Sequence, residues 1–144
     1  MQPLYHFPVD FAALLQKQPL PRGTLKESVR EYIFLLLLTQ RGEWRFDPDF
    51  QCVLWEKDFE QTDNLNLWLD EVKADVKRSI TQYETRLKIK MVDIQRDEIP
   101  ELNEENKIRR IRNRLTIKVQ GALAASGENF DENFLMFFGP ITVV

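Results

Sequence analysis

Apolar residues recur at helical spacing in two stretches and then switch to alternation, so the chain reads as helices first and strands after. Thr24-Leu-Lys-Glu27 has the form of a capping box, in which hydroxyl and carboxylate each serve one free amide of the first turn. Leu25, Val29, Ile33, Leu36 and Leu37 then share one face, and Gly42 supplies a left-handed stop, which predicts a helix over 24–40. Past Tyr32 this helix is apolar all round (Phe34, Leu35 and Leu38 as well), so its second half is expected to be covered on most sides. A second long helix is predicted over about 65–83, where Leu65, Leu69, Val72, Val76, Ile80 and Tyr83 repeat every three or four residues behind Asp63 or Asn64 as cap. A short helix is expected near Phe11, Leu14 and Leu15, capped by Asp10 and confined by Pro8 and Pro19.

The period then becomes two. Leu87, Ile89 and Met91 alternate with Lys88 and Lys90, and Leu115, Ile117 and Val119 alternate with Thr116, Lys118 and Gln120. These predict half-buried strands over 86–94 and 115–124. Between them runs a connector that is acidic from Asp93 to Glu105 and basic from Lys107 to Lys118. Phe134–Phe138 and Ile141–Val144 are read as short apolar runs flanking a Gly139-Pro140 turn. The order argues for an α+β fold, N-terminal helices packed on a small antiparallel sheet, with residues 1–144 as a single domain.

Composition narrows the chemistry. With 144 residues, a net charge of −3, one cysteine and one histidine, the chain is no general polyanion binder. Cys52 alone permits no internal disulfide and fits a reducing compartment. His6 alone excludes a two-histidine metal site. There is no Walker loop, GxGxxG, HExxH or CxxC, so no cofactor is expected. The longest apolar run, Tyr32–Leu38, is seven residues, far short of the roughly 20 that cross a membrane. No charged leader segment is visible, and a bacterial cytoplasmic setting is the expectation.

Candidate catalysis is thin. Glu43 beside Trp44, with Asp47, Asp49 or Glu56 opposite, could form a glycosidase pair, but any acidic turn offers such pairs. A Cys52–His6 nucleophile is weaker still, because Cys52 sits in an apolar run. The basic stretch Lys107, Arg109, Arg110, Arg112 and Arg114 leaves three readings open: a solvated arm balanced by its own acids, a protein-docking arm, or a phosphate-binding arm. No aromatic interleaves it, which disfavours base stacking.

Four ordered segments resemble a known family. Ser28-Val-Arg-Glu-Tyr-Ile, Leu38-Thr-Gln-Arg-Gly42-Glu-Trp-Arg45, Asp47-Pro-Asp-Phe50 and Tyr83-Glu84-Thr85-Arg86-Leu87 are similar to the sheath-initiator family of contractile injection machines. That family includes a phage tail baseplate wedge protein, long labelled a lysozyme, and TssE of type VI secretion. Members carry a leucine-rich helix end, Gly-Glu-Arg, a Pro-x-Phe segment and Tyr-Glu-Pro-Arg before a strand. Here Thr85 stands for the proline, and Trp44 separates Glu43 from Arg45. The resemblance implies a non-enzymatic baseplate component without cofactor that initiates sheath polymerisation. It implies partners resembling the wedge proteins TssF, TssG and TssK and the sheath subunits TssB and TssC, with neither nucleic acid nor membrane insertion. Its location would be a cytoplasmic baseplate docked at a membrane complex. The phage tail wedge and the peptidoglycan-cleaving glycosidase are the alternatives.

By the same resemblance, Glu84, Thr85 and Arg86 would contact the wedge bundle, and Gly42, Glu43, Arg45, Pro48 and Phe50 form the loop motif. The strands carrying Leu87, Ile89, Met91 and Leu115, Ile117, Val119 would offer sheet edges to the sheath. Alternation places Arg86 with Lys88 and Lys90 on the wetter face. Glu84, at a helix end, is disfavoured by the helix dipole by about 0.3–1 kcal/mol unless a cation answers it. That cation could be Arg86 or a partner's basic group.

Overall fold

The computed structural model describes residues 4–39, 45–47, 49 and 65–142. The side chains of Leu65, Arg110 and residues 138–142 are outside that description. Among the described residues three helices, α1 (Phe11–Leu15), α2 (Leu25–Leu38) and α3 (Leu65–Tyr83), precede three strands, β1 (Leu87–Leu102), β2 (Ile108–Leu123) and β3 (Asn129–Thr142). The strands form one antiparallel sheet in the order β1-β2-β3. This is the α+β arrangement that the order of periodicities predicts.

α2 begins where the capping box places it. Glu27 N–H donates to Thr24 Oγ1 at 3.2 Å, and Thr24 N–H donates to Glu27 Oε2 at 2.7 Å. The helix ends at Leu38, with Thr39 as its C-cap, rather than at 40, and Gly42 lies outside the described residues. α1 is capped as expected, Ala13 N–H donating to Asp10 Oδ1 at 3.0 Å.

The core is a layer between helices and sheet. Val29, Ile33, Leu36 and Leu37 of α2, together with Trp68, Val72, Val76 and Ile80 of α3, meet Leu87, Val92, Ile94, Leu115, Ile117, Val119, Leu123, Phe130, Phe134 and Met136. α3 packs chiefly along β1, and α2 reaches both α3 and β3. Each large aliphatic or aromatic side chain here contributes about 1.5–3 kcal/mol by leaving water.

Four features go beyond or against the sequence reading. First, Phe34, Leu35 and Leu38 are not covered on most sides but lie 39–48% exposed, because the sheet covers only the Val29–Leu37 face of α2. Second, the apolar side chains of α1 point outward, Leu15 at 86% exposure, and only Ala13 is buried. Third, the connector between the two predicted strands is itself strand. β1 and β2 continue to a tight turn in which Asn103 Oδ1 accepts from the N–H groups of Glu105 and Lys107. The acid and base blocks are thus the two sides of one ribbon, tied by Arg112 to Glu101 at 3.1 Å and Arg114 to Asp97 at 3.0 Å. Fourth, Gly139-Pro140 is no turn between short pieces but lies inside β3, where register slips by one residue opposite Arg112 and Asn113.

A glycine lets the sheet close. A Cβ at Gly121 would sit 2.3 Å from the carbonyl oxygen of Lys88 on β1, beside the register shift between Ile89 and Met91. No side chain fits there without moving the backbone.

Candidate functional site

The passage from α3 into β1 gathers the residues that the motifs single out. Glu84 follows the last residue of α3, its N–H donating to Ile80 O at 2.8 Å, and its side chain is 2% exposed. A buried carboxylate needs partners, and Arg86 supplies them. Arg86 Nε donates to Glu84 Oε1 at 2.9 Å, Nη2 to Oε2 at 2.8 Å, and the Arg86 backbone N–H to Oε1 at 3.0 Å. This is a two-pronged guanidinium–carboxylate pair with a backbone donor added. The remaining guanidinium nitrogen, Nη1, donates to Ser28 Oγ on α2 at 3.0 Å. The Arg86 guanidinium also lies over the Tyr32 ring, 6.0 Å from its centroid.

The corner therefore does not have the expected geometry. Glu84 and Arg86 do not point out along one strand face, and Arg86 does not join Lys88 and Lys90 in water. The chain turns through Thr85, so that Arg86 folds back on Glu84 and is half-buried. The cation that answers the helix end is intramolecular. Thr85 itself is exposed beside the pair.

Asp47 and Asp49, between members of the loop motif, come to the same place. Asp47, Asp49 and Tyr32 are close enough to act on the Tyr83 phenol. Burial first, then Asp47, pushes the Tyr83 phenol above its usual range. Tyr32 is raised likewise, by burial and by the Glu84 carboxylate, with Arg86 opposing. The bond to Glu84 holds the Arg86 guanidinium more firmly protonated, against a smaller opposing effect of burial. Arg45 is exposed and lies over the Phe46 ring, 4.6 Å from its centroid. Gly42, Glu43, Pro48 and Phe50, like Trp44, Cys52 and Glu56, lie outside the described residues.

The strand residues divide sharply. Leu115, Ile117 and Val119 are fully buried and belong to β2, which is paired on both sides, so they offer no edge. A strand flanked by two neighbours has spent its backbone donors and acceptors on them. The free edges among the described residues are those of β1 and β3. Of the β1 residues, Leu87 is buried, Ile89 is half-buried and Met91 is 46% exposed. β3, which the sequence reading did not single out, carries Leu135 and Phe137 exposed. The available signal was Phe134–Phe138, whose alternation buries Phe134 and Met136 and turns Leu135 and Phe137 outward.

The Glu84 carboxylate accepts three N–H bonds, which leaves little capacity for a substrate. Among the described residues no cluster of histidine, cysteine, aspartate and glutamate could hold a metal ion. Arg112 and Arg114 are engaged by acids across the ribbon, and Arg112 also lies over Phe137, 4.7 Å from the ring centroid. At Arg112 and Arg114 these ion pairs match the self-balanced arm among the three readings, while the Arg110 side chain lies outside the described residues. No helix among the described residues is long and apolar enough to cross a membrane.

Comparison with known proteins agrees with this architecture. A crystal structure from Geobacter sulfurreducens, of a protein named as a tail lysozyme, superposes with a TM-score of 0.64 over 84% of this chain and 97% of that one, at 21% identity. At that identity the likeness establishes the fold alone. Among curated proteins none matches the sequence. The family model described as "Baseplate wedge protein gp25" matches residues 23–128, from just before the α2 capping box to the turn ahead of β3. This chain therefore belongs to the gp25 baseplate wedge family, components of phage tails and related contractile machines.

Proposed function

We propose that the protein is a non-catalytic adaptor of a contractile injection machine, joining a baseplate wedge to the first ring of the sheath. The observation that carries this reading is a long three-stranded sheet whose two outer edges are unpaired among the described residues. An exposed edge is a template for a partner strand, through main-chain hydrogen bonds with side-chain pockets supplying choice. β3 is the better acceptor, because α3 lies along β1 and Lys73 reaches Asp93 there at 3.1 Å.

The wedge side of the adaptor is the corner of Ser28, Tyr32, Tyr83, Glu84, Thr85 and Arg86 with the loop from Arg45 to Asp49. Thr85, the outer side of Arg86 and the exposed Arg45, Phe46 and Asp49 are its accessible parts. The partners are wedge proteins resembling TssF, TssG and TssK and sheath subunits resembling TssB and TssC, in a cytoplasmic baseplate docked at a membrane complex. A phage tail wedge is the second reading, supported by the description of the similar structure as a tail lysozyme.

Co-expression with the adjacent baseplate and sheath genes, followed by affinity recovery of this chain, tests the proposal. Recovery of wedge and sheath subunits is the expected result. Recovery of neither would overturn it. Sheath, tube and ATPase genes alongside would mark a secretion system; capsid and terminase genes would mark a phage.

A further inference from the structure

The two outer edges of the sheet are not alike. β1 carries the devices that keep an edge from pairing: exposed Lys88 and Lys90, a register shift between Ile89 and Met91, and Pro100, which has no N–H to offer. β3 has no lysine, and its ladder with β2 runs unbroken from Asn129 to Phe138, ahead of Pro140. At the end of β2, Ala124 N–H donates to Arg86 O at 2.8 Å and Leu123 N–H to Glu128 O at 2.9 Å, so successive amides face opposite neighbours. Carried along the register, this turns Phe130, Glu132, Phe134 and Met136 toward β2. The N–H and C=O groups of Asp131, Asn133, Leu135 and Phe137 then face outward.

α2 supplies a wall beside this edge. Ser28 and Tyr32, on one flank of α2, face the corner of Glu84 and Arg86. Arg30, Phe34 and Leu38, spaced by four, form the opposite flank. Arg30 Nε stands 3.3 Å from Glu132 Oε2, and the Phe34 ring stacks on that of Phe134 with centroids 6.3 Å apart. Four residues of helix rise about 6 Å and two of strand about 6.6 Å, so this flank keeps step with alternate residues of β3 and brings Leu38 to the level of Met136.

Apolar surface is left open on both faces of the edge. Phe34 and Leu38 are 39% and 42% exposed on the helix side, and Leu135 and Phe137 are 51% and 45% exposed on the other. The charges nearby are already answered, Glu132 by Arg30 and Asp131 by Gln120 and Lys118. A charge brought in between β3 and α2 would therefore lose water without gaining a partner. The row of outward backbone groups fits an extended chain rather than a helix, whose own backbone groups are paired internally.

We propose that the sheath strand seated on β3 is selected for apolar side chains on both faces where it passes residues 134–137. Its inward side chains enter the space between β3 and the Phe34–Leu38 flank of α2, and its outward ones cover Leu135 and Phe137. This selectivity rests on the reading of β3 as the sheath acceptor. A strand with one polar face, the usual form at a solvated sheet, would leave one of the two apolar pairs in water.

Residue-resolved hydrogen exchange and a binding titration with the purified sheath subunit from the same gene cluster test this. Binding should bring new protection at the amides of Asp131, Asn133, Leu135 and Phe137. Affinity should fall about tenfold or more in Phe34→Gln/Leu38→Gln. Leu135→Gln/Phe137→Gln, which leaves α2 intact, should weaken binding to a similar degree, whereas Leu15→Gln, on exposed α1, should not. Protection along β3 with affinity unchanged in either double variant would overturn the two-faced selection while leaving β3 as the acceptor. No binding at all would overturn both. A free chain that sediments as a dimer with those four amides already protected would assign the edge to a second copy, and would overturn the proposal as well.

Discussion

Truncating Arg86 to Ala removes the donors Nε and Nη2 from a carboxylate side chain that is 2% exposed, and leaves only the backbone N–H of residue 86 bonded to it. It also removes the bond from Nη1 to Ser28, which ties the start of β1 to α2. Breaking a fully buried ion pair by deleting one partner costs about 3–5 kcal/mol, and an exposed pair is worth about 0–1 kcal/mol. The Arg86 side chain is 36% exposed, so water can enter from its side once it is cut back. The expected loss is therefore intermediate, about 2–4 kcal/mol. For a chain of this size that is roughly 6–14 °C in melting temperature. Urea unfolding of wild type, Arg86→Ala, Glu84→Gln and the double variant forms the cycle. A coupling above about 1 kcal/mol is expected between the two positions. A loss under about 1 kcal/mol for Arg86→Ala would refute the structural role of the pair. If such a variant also failed to bind wedge proteins, Arg86 would act mainly by docking.

Three further outcomes are expected. Gly121→Ala should destabilise by about 1–3 kcal/mol or more, because its Cβ would meet the Lys88 carbonyl rather than a flexible side chain; unchanged urea unfolding would contradict the close β1–β2 approach. The protein should show no salt-sensitive retention of DNA or RNA, since Arg112 and Arg114 already face Glu101 and Asp97; a gel shift abolished in Arg110→Ala/Arg112→Ala/Arg114→Ala would revive a phosphate-binding arm. Wild-type protein should leave peptidoglycan turbidity unchanged, and clearing that disappears in Glu43→Gln would establish a glycosidase.

Much of the helical layer was legible because it depends on local rules. The Thr24–Glu27 capping box and the repeats through Val29–Leu37 and Val72–Ile80 specify start, length and buried face with little help from tertiary structure. The strands were legible only where one face meets the helices. Beyond Ile94 and Leu115 the inward positions become Arg96 and Asn113, which bond to each other at 3.1 Å, so the period-two apolar signal stops although the ladder continues. Gly139-Pro140 looked like a turn for a similar reason: a register slip inside a strand uses the residues that tight turns use. The corner shows a different limit. The spacing of Glu84 and Arg86 was visible, but Arg86 is also held by α2, whose Ser28 lies 58 residues from it in sequence. That long-range contact helps hold two apparently parallel charges as a closed pair, and nothing in the local pattern encodes it.

The central claim is that a free sheet edge receives the sheath, and backbone exchange across β3 tests it most directly. Adding the purified sheath subunit should protect the outward-facing amides of Asn129–Thr142, while amides of β2, already bonded on both sides, should not change. Binding with no new protection along β3 or β1, or no binding at all, would contradict the account.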